Sequence, residues 1–369
     1  MKILHINSYY VTNDMYTQMY DRQVKAGHDI FVYLPSPKGT SITRPDYAHV
    51  QITHGKYDRI IFHLKHKKIV KDAKKRFCDG GYDIVHAHSL FTNGSVALQL
   101  KKEFGYPYMA AVRSTDLYTF FKYMPHLRPL GLEILKNAER VIIIADAMKR
   151  ELFNKYIPEH MKEEIEKKTV IIPNGIHEFW RENLCAEPKK APRDKKLKIV
   201  TASTISNNKN QLTVCRALAK MVNKGYDIEY HVVGKVVEKR VFDAVMKYPF
   251  VKYHSHMTRE GLKELYADMD IFVLISHVET FGLVCAEAMS QGLPVIYTKD
   301  QGFDGWFEEG RIGYAVPATD EDGLVCAIEK TLSNYERMSS ECPKCASQFS
   351  WDVFVKQYDD VMEECIKKN

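Results

Sequence analysis

Short apolar runs rich in β-branched residues alternate with helix-length amphipathic segments along the whole 369-residue chain. This alternation predicts parallel βαβ units, because each strand of a parallel sheet needs a crossover connection before the next strand. The strands predicted in the first half are Lys2–Asn7, Asp29–Leu34, Ile60–His63, Asp83–Ala87, Tyr108–Val112, Val141–Ile144 and Thr169–Ile172. The strands predicted in the second half are Lys198–Ala202, Glu229–Val233, Val251–His254, Asp270–Ile275, Pro294–Thr298 and Gly313–Val316.

One stretch interrupts this rhythm: residues 175–196 combine two prolines and many charges with no clear periodicity, as is typical of a linker. The sequence therefore predicts an α/β protein of two doubly wound, Rossmann-like domains facing a central cleft. In such sheets ligands bind beyond the carboxyl ends of the strands. The predicted N-terminal domain spans residues 1–180, the linker 181–196 and the C-terminal domain 197–349.

The composition supports two globular cores, and together with the apolar runs and the cysteines it indicates the cellular compartment. Hydrophobic residues make up 45% and charged residues 27% of the chain, without a low-complexity tract that would indicate disorder. The longest apolar runs have about five residues, whereas a membrane-spanning helix needs roughly 20. The first apolar run is too short for a secretory signal, and eight scattered cysteines suit reduced thiols. We therefore expect a cytoplasmic protein.

Charge is concentrated in one place. The segment His63–Arg76 carries seven Lys or Arg residues against the single Asp72, although the formal net charge of the whole chain is only +6. Two interpretations stay open: a solvated helix face, or a surface that contacts an anionic membrane or a phospholipid pyrophosphate. No nucleic-acid partner is expected.

The most informative stretch runs from Ser276 to Pro294. A buried-type strand ends at Ser276, a turn containing Gly282 follows, and a helix runs to Gly292. The backbone N–H groups of Thr280 to Leu283 therefore lie at a helix N-terminus, where unpaired donors and the helix dipole favour an anion. 

Two acids flank this helix end. Glu279 precedes the helix and Glu287 lies about two turns along it, so one could bind the hydroxyls of a sugar and the other those of a ribose, on either side of a diphosphate. The alternative is that Glu279 only stabilises the helix dipole and Glu287 is solvated.

This stretch resembles the donor-site signature of glycosyltransferase family 4: two glutamates eight positions apart around Phe-Gly-Leu, then Glu-Ala-Met-x-x-Gly-x-Pro-Val. Four further segments resemble family segments, namely Asp83–His88, Val170–Gly175, Tyr266–Leu274 and Phe349–Trp351. The resemblance implies the GT-B fold, a last helix (350–369) that crosses back to the first domain, and transfer with retention of anomeric configuration. It also implies a nucleotide-sugar donor, with UDP favoured over GDP, no metal, and a glycan or lipid-linked acceptor in bacterial surface polysaccharide synthesis.

Carried over residue by residue, the resemblance assigns the ribose to Glu287 and the sugar hydroxyls to Glu279. It assigns the sugar and diphosphate to the amides of Phe281–Leu283, and the pyrophosphate to Lys209. Lys209 would neutralise the charge of the leaving diphosphate, a task that a metal performs in other enzymes. The predicted donor site comprises Thr204, Lys209, Gly234, Met257, Glu279, Thr280, Phe281, Gly282, Leu283 and Glu287.

Three departures from the family pattern stand out. Thr204 stands where a phosphate-binding arginine is usual, and the glycine pair that usually follows the first strand is absent after Asn7. Arg113 stands where a histidine usually faces the reacting sugar. Arg113 either binds the donor sugar or an acidic or phosphorylated acceptor, or forms a structural pair with Asp116. The predicted catalytic residues are Lys209, Glu279, Arg113 and Asp116.

Metal and dinucleotide sites are not expected. Asp268-Met-Asp270 imitates a metal motif but opens a strand, and His86 and His88 share one strand face, where packing is favoured over metal binding. Gly234 lacks the further glycines of a dinucleotide fingerprint. The alternatives kept open are a catalytically weak nucleotide-sugar-binding subunit, and a GT-B enzyme with a small cytosolic acceptor or epimerase activity.

Overall fold

Two units make up the chain in the computed structural model, which describes residues 1–12, 15–55, 58 and 62–367. Unit 1 comprises Met1–Pro173 and the chain from Trp351 on, and unit 2 comprises Asn174–Ser350. Each unit contains one parallel sheet with helices connecting its strands. The predicted α/β class with two Rossmann-like domains is therefore confirmed.

In the described part of unit 1, seven parallel strands lie in the order β3-β2-β1-β4-β5-β6-β7. They are β1 (Lys2–Ile6), β2 (Asp29–Pro37), β3 (Ala48–His54), β4 (Ile84–Ala87), β5 (Tyr108–Val112), β6 (Arg140–Ile143) and β7 (Thr169–Ile171). The sheet of unit 2 has the order β10-β9-β8-β11-β12-β13. Its strands are β8 (Lys196–Ala202), β9 (Asp227–Val233), β10 (Val251–His254), β11 (Ile271–Leu274), β12 (Val295–Thr298) and β13 (Gly313–Val316).

The helices of the described residues are α1 (Thr17–Lys25), α2 (Phe62–Arg76), α3 (Gly94–Phe104), α4 (Arg128–Asn137), α5 (Asp146–Lys155), α6 (Glu159–Lys167), α7 (Glu178–Glu182), α8 (Gln211–Asn223), α9 (Lys239–Val245), α10 (Arg259–Ala267), α11 (Leu283–Ser290), α12 (Glu321–Ser333), α13 (Tyr335–Ala346) and α14 (Trp351–Lys367). Single turns of tighter or wider helix lie at Ser8–Val11, Asp116–Phe121, Pro125–Leu127, Asn207–Lys209 and Ser347–Phe349. Within these described ranges, we find no helix with the length and apolarity to cross a bilayer.

The central strands are continuously apolar because helices cover both faces of each sheet. Every residue of β4, β5, β11 and β12 is buried. In both sheets the strand order reverses once, between β1 and β4 in unit 1 and between β8 and β11 in unit 2. At such a switch point the loops after two neighbouring strands diverge to opposite faces and leave a crevice for a ligand.

One predicted strand is wrong and one strand was missed. Phe62 and His63 begin the helix α2, and the other two residues of the predicted strand Ile60–His63 lie outside the described residues. The missed strand is β3, which pairs with β2 at the sheet edge and is largely half-exposed. Its polar residues alternate with apolar ones, so it lacks the apolar run typical of the central strands.

The predicted linker 181–196 is not a separate connection, because the units divide after residue 173 and the linker belongs to unit 2. Trp180, just before it, is fully buried. The backbone N–H of Cys185 donates to the carbonyl of Ser290 over 2.8 Å, and Nζ of Lys189 donates to two carbonyls at the end of α10. These hydrogen bonds hold the segment against unit 2, although its composition alone indicated a linker without fixed contacts.

Helix α14 completes unit 1. Arg22 of α1 contacts Asp352 over 2.5 Å, and Gln23 Nε2 donates to Asp359 over 3.0 Å. The aromatic residue Tyr358 is buried against the ring of His86, with 5.2 Å between ring centroids. The C-terminal helix therefore covers one face of the first sheet.

Three fully buried histidines lie on neighbouring strands under α14: His5 on β1, and His86 and His88 at the end of β4. Nδ1 of His5 lies 3.1 Å from Nε2 of His88, and the Tyr20 hydroxyl lies 3.2 Å from the same nitrogen. Burial lowers the pKa of His5 to about 3 and holds the pKa values of His86 and His88 well below their usual range. All three rings are therefore neutral near pH 7.

This burial predicts that the protein loses stability as the pH falls below about 6.5, because the unfolded histidines bind protons that the folded ones cannot. Each histidine contributes about 1.4 kcal/mol per pH unit between its unfolded and folded pKa values. We expect His86→Leu to reduce the slope of the unfolding free energy against pH between pH 5.5 and 7. The reduction should be at most the contribution of one bound proton. Urea denaturation across this range measures the slope.

His160→Gln, on the exposed histidine of α6, is the matched control and should leave the slope unchanged. Equal slopes in wild type and His86→Leu would contradict the prediction.

Candidate functional site

Most of the predicted donor residues lie in loops at the carboxyl edge of the unit 2 sheet. Because all strands of a parallel sheet end at the same edge, the loops after β8 to β12 are neighbours there. Thr204 and Lys209 follow β8, Gly234 follows β9, Met257 follows β10, and Glu279 and the turn to Leu283 follow β11.

Lys209 and Glu279 form an ion pair across the switch point between β8 and β11. Nζ of Lys209 donates to Oε2 of Glu279 over 2.7 Å, and the Ser276 hydroxyl donates to the same oxygen over 3.1 Å. The side chains of Lys209 and Glu279 are 23% and 13% exposed, so a ligand can reach both. Glu279 therefore does more than stabilise the helix dipole: it holds the cation that the sequence assigned to a diphosphate.

Asparagines on either side of Lys209 fix its loop. Asn208 donates from Nδ2 to the carbonyl of Val278 and accepts the Val278 N–H at Oδ1, each over 3.1 Å. Asn210 has a left-handed backbone (φ 58°) and donates from Nδ2 to the carbonyl of Ile275 over 3.0 Å. The loop after β8 is thus hydrogen-bonded directly to the loop after β11.

The turn after Glu279 presents backbone N–H groups at the start of α11. Gly282 has a φ of 85° and precedes the first helical turn without any side chain that caps it. A Cβ on Gly302 would lie 2.1 Å from the carbonyl oxygen of Thr280, so only glycine allows the loop after β12 to pass this close. The ring of Phe281 anchors the turn against Phe303, Trp306 and Phe349, with centroids 5.5 to 6.1 Å apart.

Glu287 lies on α11 and is only half-buried by area, but its surroundings desolvate the carboxyl group. Burial raises its pKa to about 7, and Arg259 and the indole of Trp180 oppose this rise. The Trp180 Nε1 and the Tyr266 hydroxyl are buried and make no hydrogen bond of good geometry in the described residues. Glu287 is therefore not the solvated acid of the alternative interpretation, and the buried polar atoms of Trp180 and Tyr266 lie beside it.

The other predicted donor residues have simpler surroundings. Thr204 is exposed, and its carbonyl accepts a hydrogen bond from Gln211 Nε2 over 2.9 Å. Gly234 has a φ of 143°, and a Cβ there would lie 2.0 Å from the carbonyl oxygen of Ser203, so the glycine lets two loops approach. Met257 is half-buried just before α10.

Arg113 and Asp116 belong to unit 1 and lie after β5. Nε of Arg113 donates to the carbonyl of His88 over 3.1 Å. Its two Nη atoms are buried without a hydrogen bond of good geometry in the described chain, beside Tyr16 and Tyr358. The Tyr358 hydroxyl is close enough to act on Arg113. A buried guanidinium of this kind is suited to a bidentate anion or to sugar hydroxyls.

Asp116 is bonded to the backbone of its own surroundings. Its side chain is completely buried and accepts the backbone N–H groups of Leu90, Phe91 and Arg113 over 2.8 to 3.1 Å. Burial raises its pKa to about 6, and the three hydrogen bonds oppose this rise. Asp116 therefore positions the loop of Arg113, and its catalytic role stays a prediction. The proposed side-chain pair between the two residues is absent, because Asp116 binds the backbone of Arg113 and not its guanidinium.

Two groups of side chains bring possible metal-ligand atoms close together. In the described chain, His5, His86 and His88 have ligand atoms within 4.8 Å of one another. The rings of His86 and His88 stack at 3.9 Å and 28°, and the preference for packing over metal binding stays a prediction. Asp268 and Asp270 instead bind the side chain and backbone of Lys198, each over 2.7 Å.

Several contributors to the site were missed from the sequence. Ser276, Asn208 and Gly302 position Glu279, Lys209 and the Thr280 turn, respectively, and Trp180 and Arg259 set the environment of Glu287. Ser276, Asn208 and Gly302 all follow strands at the carboxyl edge of the sheet, and this shared position could have identified them from the sequence. Trp180 gave no such signal because it lies in the segment interpreted as a linker.

Two family models match the chain. Residues 186–345 match the model described as "Glycosyl transferases group 1", and residues 15–178 match "Glycosyltransferase Family 4". Among curated relatives, the D-inositol 3-phosphate glycosyltransferase of Corynebacterium kroppenstedtii is 23% identical over 78% of this chain and 68% of its own length.

Solved structures show the same fold over the whole chain. Sucrose-phosphate synthase from Thermosynechococcus elongatus superposes with a TM-score of 0.79 at 18% identity and covers 100% of both chains. HepE of Anabaena in complex with UDP gives a TM-score of 0.74 at 17% identity, covering 99% of this chain and 100% of the other. At these identities the likeness establishes the fold.

The environment of Glu287 predicts that this carboxylate destabilises the free protein. Between the usual pKa of a glutamate and about 7, the folded state holds a proton that the unfolded state releases, so stability falls as the pH rises through this window. We expect Glu287→Gln to be more stable than wild type by about 1–3 kcal/mol at pH 8, and the gain to shrink towards pH 5. Thermal and urea unfolding at both pH values measure the difference. An equal gain at both would contradict it.

Proposed function

The chain belongs to glycosyltransferase family 4 and has the GT-B fold, and on this premise we propose that it moves a hexose-type sugar from a nucleotide diphosphate to a glycan or lipid-linked acceptor. We propose that the reaction retains the anomeric configuration, needs no metal, and serves bacterial surface polysaccharide synthesis in the cytoplasm. UDP is the favoured nucleotide, with GDP as the alternative. The structure of the similar HepE with bound UDP supports this choice.

One observation carries the proposal: a cation, an acid and the start of a helix meet at the switch point of the unit 2 sheet. Lys209 pairs with Glu279 over 2.7 Å beside the Gly282 turn. An incoming diphosphate would take over Lys209 and the N–H groups of the turn, and the sugar hydroxyls would take over Glu279. The ribose hydroxyls would bind Glu287.

The chemistry follows from this arrangement. The acceptor hydroxyl attacks the anomeric carbon from the face on which the bond to the diphosphate oxygen breaks. The leaving oxygen takes the hydroxyl proton, since no nucleophile or base is assigned at this site. Lys209 and the helix N-terminus stabilise the negative charge that develops on the diphosphate. We propose that Arg113 binds the donor sugar or an acidic group of the acceptor through its Nη atoms.

A small cytosolic acceptor is the second candidate. It is favoured by the similarity to a D-inositol 3-phosphate glycosyltransferase, whose name indicates a small phosphorylated acceptor. The donor site would be the same in both cases.

Nucleotide binding tests the donor site without knowledge of the acceptor. We expect one of UDP, GDP and ADP to raise the melting temperature of wild type, with or without chelator, since ligand at about 100 times its Kd adds roughly 2.7 kcal/mol. Glu287→Ala should lose this shift. Lys209→Ala should bind the nucleoside monophosphate like wild type and lose the additional stabilisation that the diphosphate provides.

Lys224→Ala, on an exposed lysine that ends α8, is the matched control and should respond like wild type. Absence of a shift with all three nucleotides at millimolar concentration would refute the donor site. A shift that disappears with chelator would refute metal independence.

We further propose that unit 1 contacts anionic membranes through α2. Lys67, Lys71 and Lys75 recur every four residues, are exposed, and have no partner among the described residues. Leu64, on the same stripe, is 49% exposed. An exposed apolar residue beside unpaired lysines is typical of peripheral membrane surfaces, where each lysine adds about 1 kcal/mol.

Co-sedimentation with vesicles tests this surface. Wild type should bind vesicles that contain anionic lipid and leave neutral vesicles unbound, and replacing the three lysines by glutamine should reduce binding at least tenfold. A control with Lys235, Lys239 and Lys247 of unit 2 changed to glutamine should bind like wild type. Equal partitioning to anionic and neutral vesicles would contradict the proposal.

A further inference from the structure

Unit 1 contains a cavity of about 770 Å³ at the carboxyl edge of its sheet. Its walls come from the turn after β1, the end of β2 and the loop after it, the end of β3, helix α2, and the segments after β4 and β5. These are the strand ends on either side of the switch point between β1 and β4, where a ligand of a doubly wound sheet binds. The cavity lies wholly within unit 1 and is separate from the donor residues of unit 2.

The lining combines hydroxyl groups with apolar surface. Hydroxyl-bearing residues on the walls are Ser8, Tyr9, Thr12, Thr40, Thr92 and Thr115. Apolar walls are formed by Val11, Pro35, Pro37 and Phe120. Few orienting polar groups on a largely apolar wall are typical of small-molecule sites. The hydroxyls suit a ligand that itself carries several hydroxyl groups.

Lys65 gives the cavity its charge. It lies on α2 within the basic segment, is half-buried, and has neither an ion pair nor a hydrogen bond to any residue that the structure describes. Burial lowers its pKa, and no carboxylate opposes the effect. The neighbouring Lys68 differs, because Asp58 neutralises it over 2.5 Å. A desolvated cation that lacks a counter-ion is costly, so its position on a cavity wall points to an anionic ligand.

The surroundings of Lys65 add further positive potential, and the nearby Asp58 is paired with Lys68. Lys38 lines the same cavity, and its backbone N–H donates to the carbonyl of His54 over 2.8 Å. His54 also lines the cavity and is buried, and its pKa is lowered by burial and by the charge of Lys65. At the opposite side, Thr115 and Tyr9 connect the cavity to the loop that holds Asp116 and Arg113, whose opposite charges both act on Tyr9.

We propose that this cavity binds the acceptor substrate and that Lys65, with Lys38, recognises a phosphate group on it. The proposal rests on the proposed transfer reaction and names the acceptor class, a hydroxyl-rich compound that carries a phosphate. Two sources share this chemistry: a soluble sugar or polyol phosphate, and the phosphate-bearing headgroup of a lipid. Lys65 is then a binding residue that determines acceptor specificity.

Calorimetric titration of the full chain without nucleotide tests the proposal with two pairs of probes. The soluble pair is glucose 6-phosphate and glucose, and the lipid pair is monomeric dihexanoyl phosphatidic acid and dihexanoylglycerol. We expect at least one phosphate-bearing probe to bind at least tenfold more tightly than its partner without phosphate. Binding by only the soluble or only the lipid probe identifies the source.

Variants separate Lys65 from general charge effects. Lys65→Met should weaken binding of the phosphate-bearing probe at least tenfold, Lys65→Arg should retain most of it, and Lys25→Met, on an exposed lysine at the end of α1, should leave it unchanged. A cooperative thermal transition shows that each variant is folded. The proposal is overturned if no phosphate-bearing probe binds at millimolar concentration, or if Lys65→Met and wild type bind equally.

Failure of this proposal is distinguishable from failure of the donor site. No nucleotide is present in the titration, and the donor-site variant Glu287→Ala should bind the phosphate-bearing probe as wild type does. Loss of nucleotide binding with intact phosphate binding would therefore refute only the donor assignment, and the reverse result would refute only the acceptor cavity.

Discussion

The adjacency of β8 and β11 is the constraint on which the candidate donor site depends. These strands are neighbours in space but far apart in sequence, so their following loops reach one edge from opposite sides of the switch point. Hydrogen bonds from Asn208 and Asn210 lock the two loops together, and the pair between Lys209 and Glu279 forms where they meet. The Gly282 turn and α11 continue from the same loop. One strand pairing therefore sets the positions of the cation, the acid and the helix end at once.

Both units hold charged or polar groups that the fold itself does not satisfy. In unit 2 the Glu287 carboxyl group is desolvated beside the buried polar atoms of Trp180 and Tyr266. In unit 1 the Nη atoms of Arg113 are buried and the ammonium group of Lys65 is half-buried, and neither group forms an ion pair with a residue that the structure describes. Desolvated polar and charged groups that are not fully hydrogen-bonded lower the stability of the free protein. A ligand that bonds to them restores this stability. The positions of these desolvated groups therefore indicate where each unit is suited to bind a ligand.

The sequence predicted unit 2 better than unit 1 for physical reasons. The strands β11 and β12 of unit 2 are short and fully buried, and the motif from Glu279 to Glu287 is contiguous, so spacing alone places it in a turn and a helix after a strand. In unit 1 the edge strand β3 alternates polar and apolar residues and was missed, and a helix begins at Phe62 where a strand was expected. Asp116 shows a second limit, because a pattern identifies an acid near a site but cannot reveal that three backbone N–H groups already occupy it.

The acceptor cavity could not be predicted from the sequence because no two of its charged residues are close in the chain. Lys38 follows β2 and Lys65 lies on α2. The sequence of the basic segment around Lys65 did not show which of its lysines face solvent and which line a cavity. The helix divides that charge: Lys67, Lys71 and Lys75 face solvent, whereas Lys65 lines the cavity. Helical periodicity thus lets one basic segment carry both proposed roles, a membrane-facing stripe and a phosphate-binding side chain. Substitutions at Lys65 or Lys38 can therefore change the acceptor without altering the donor residues of unit 2.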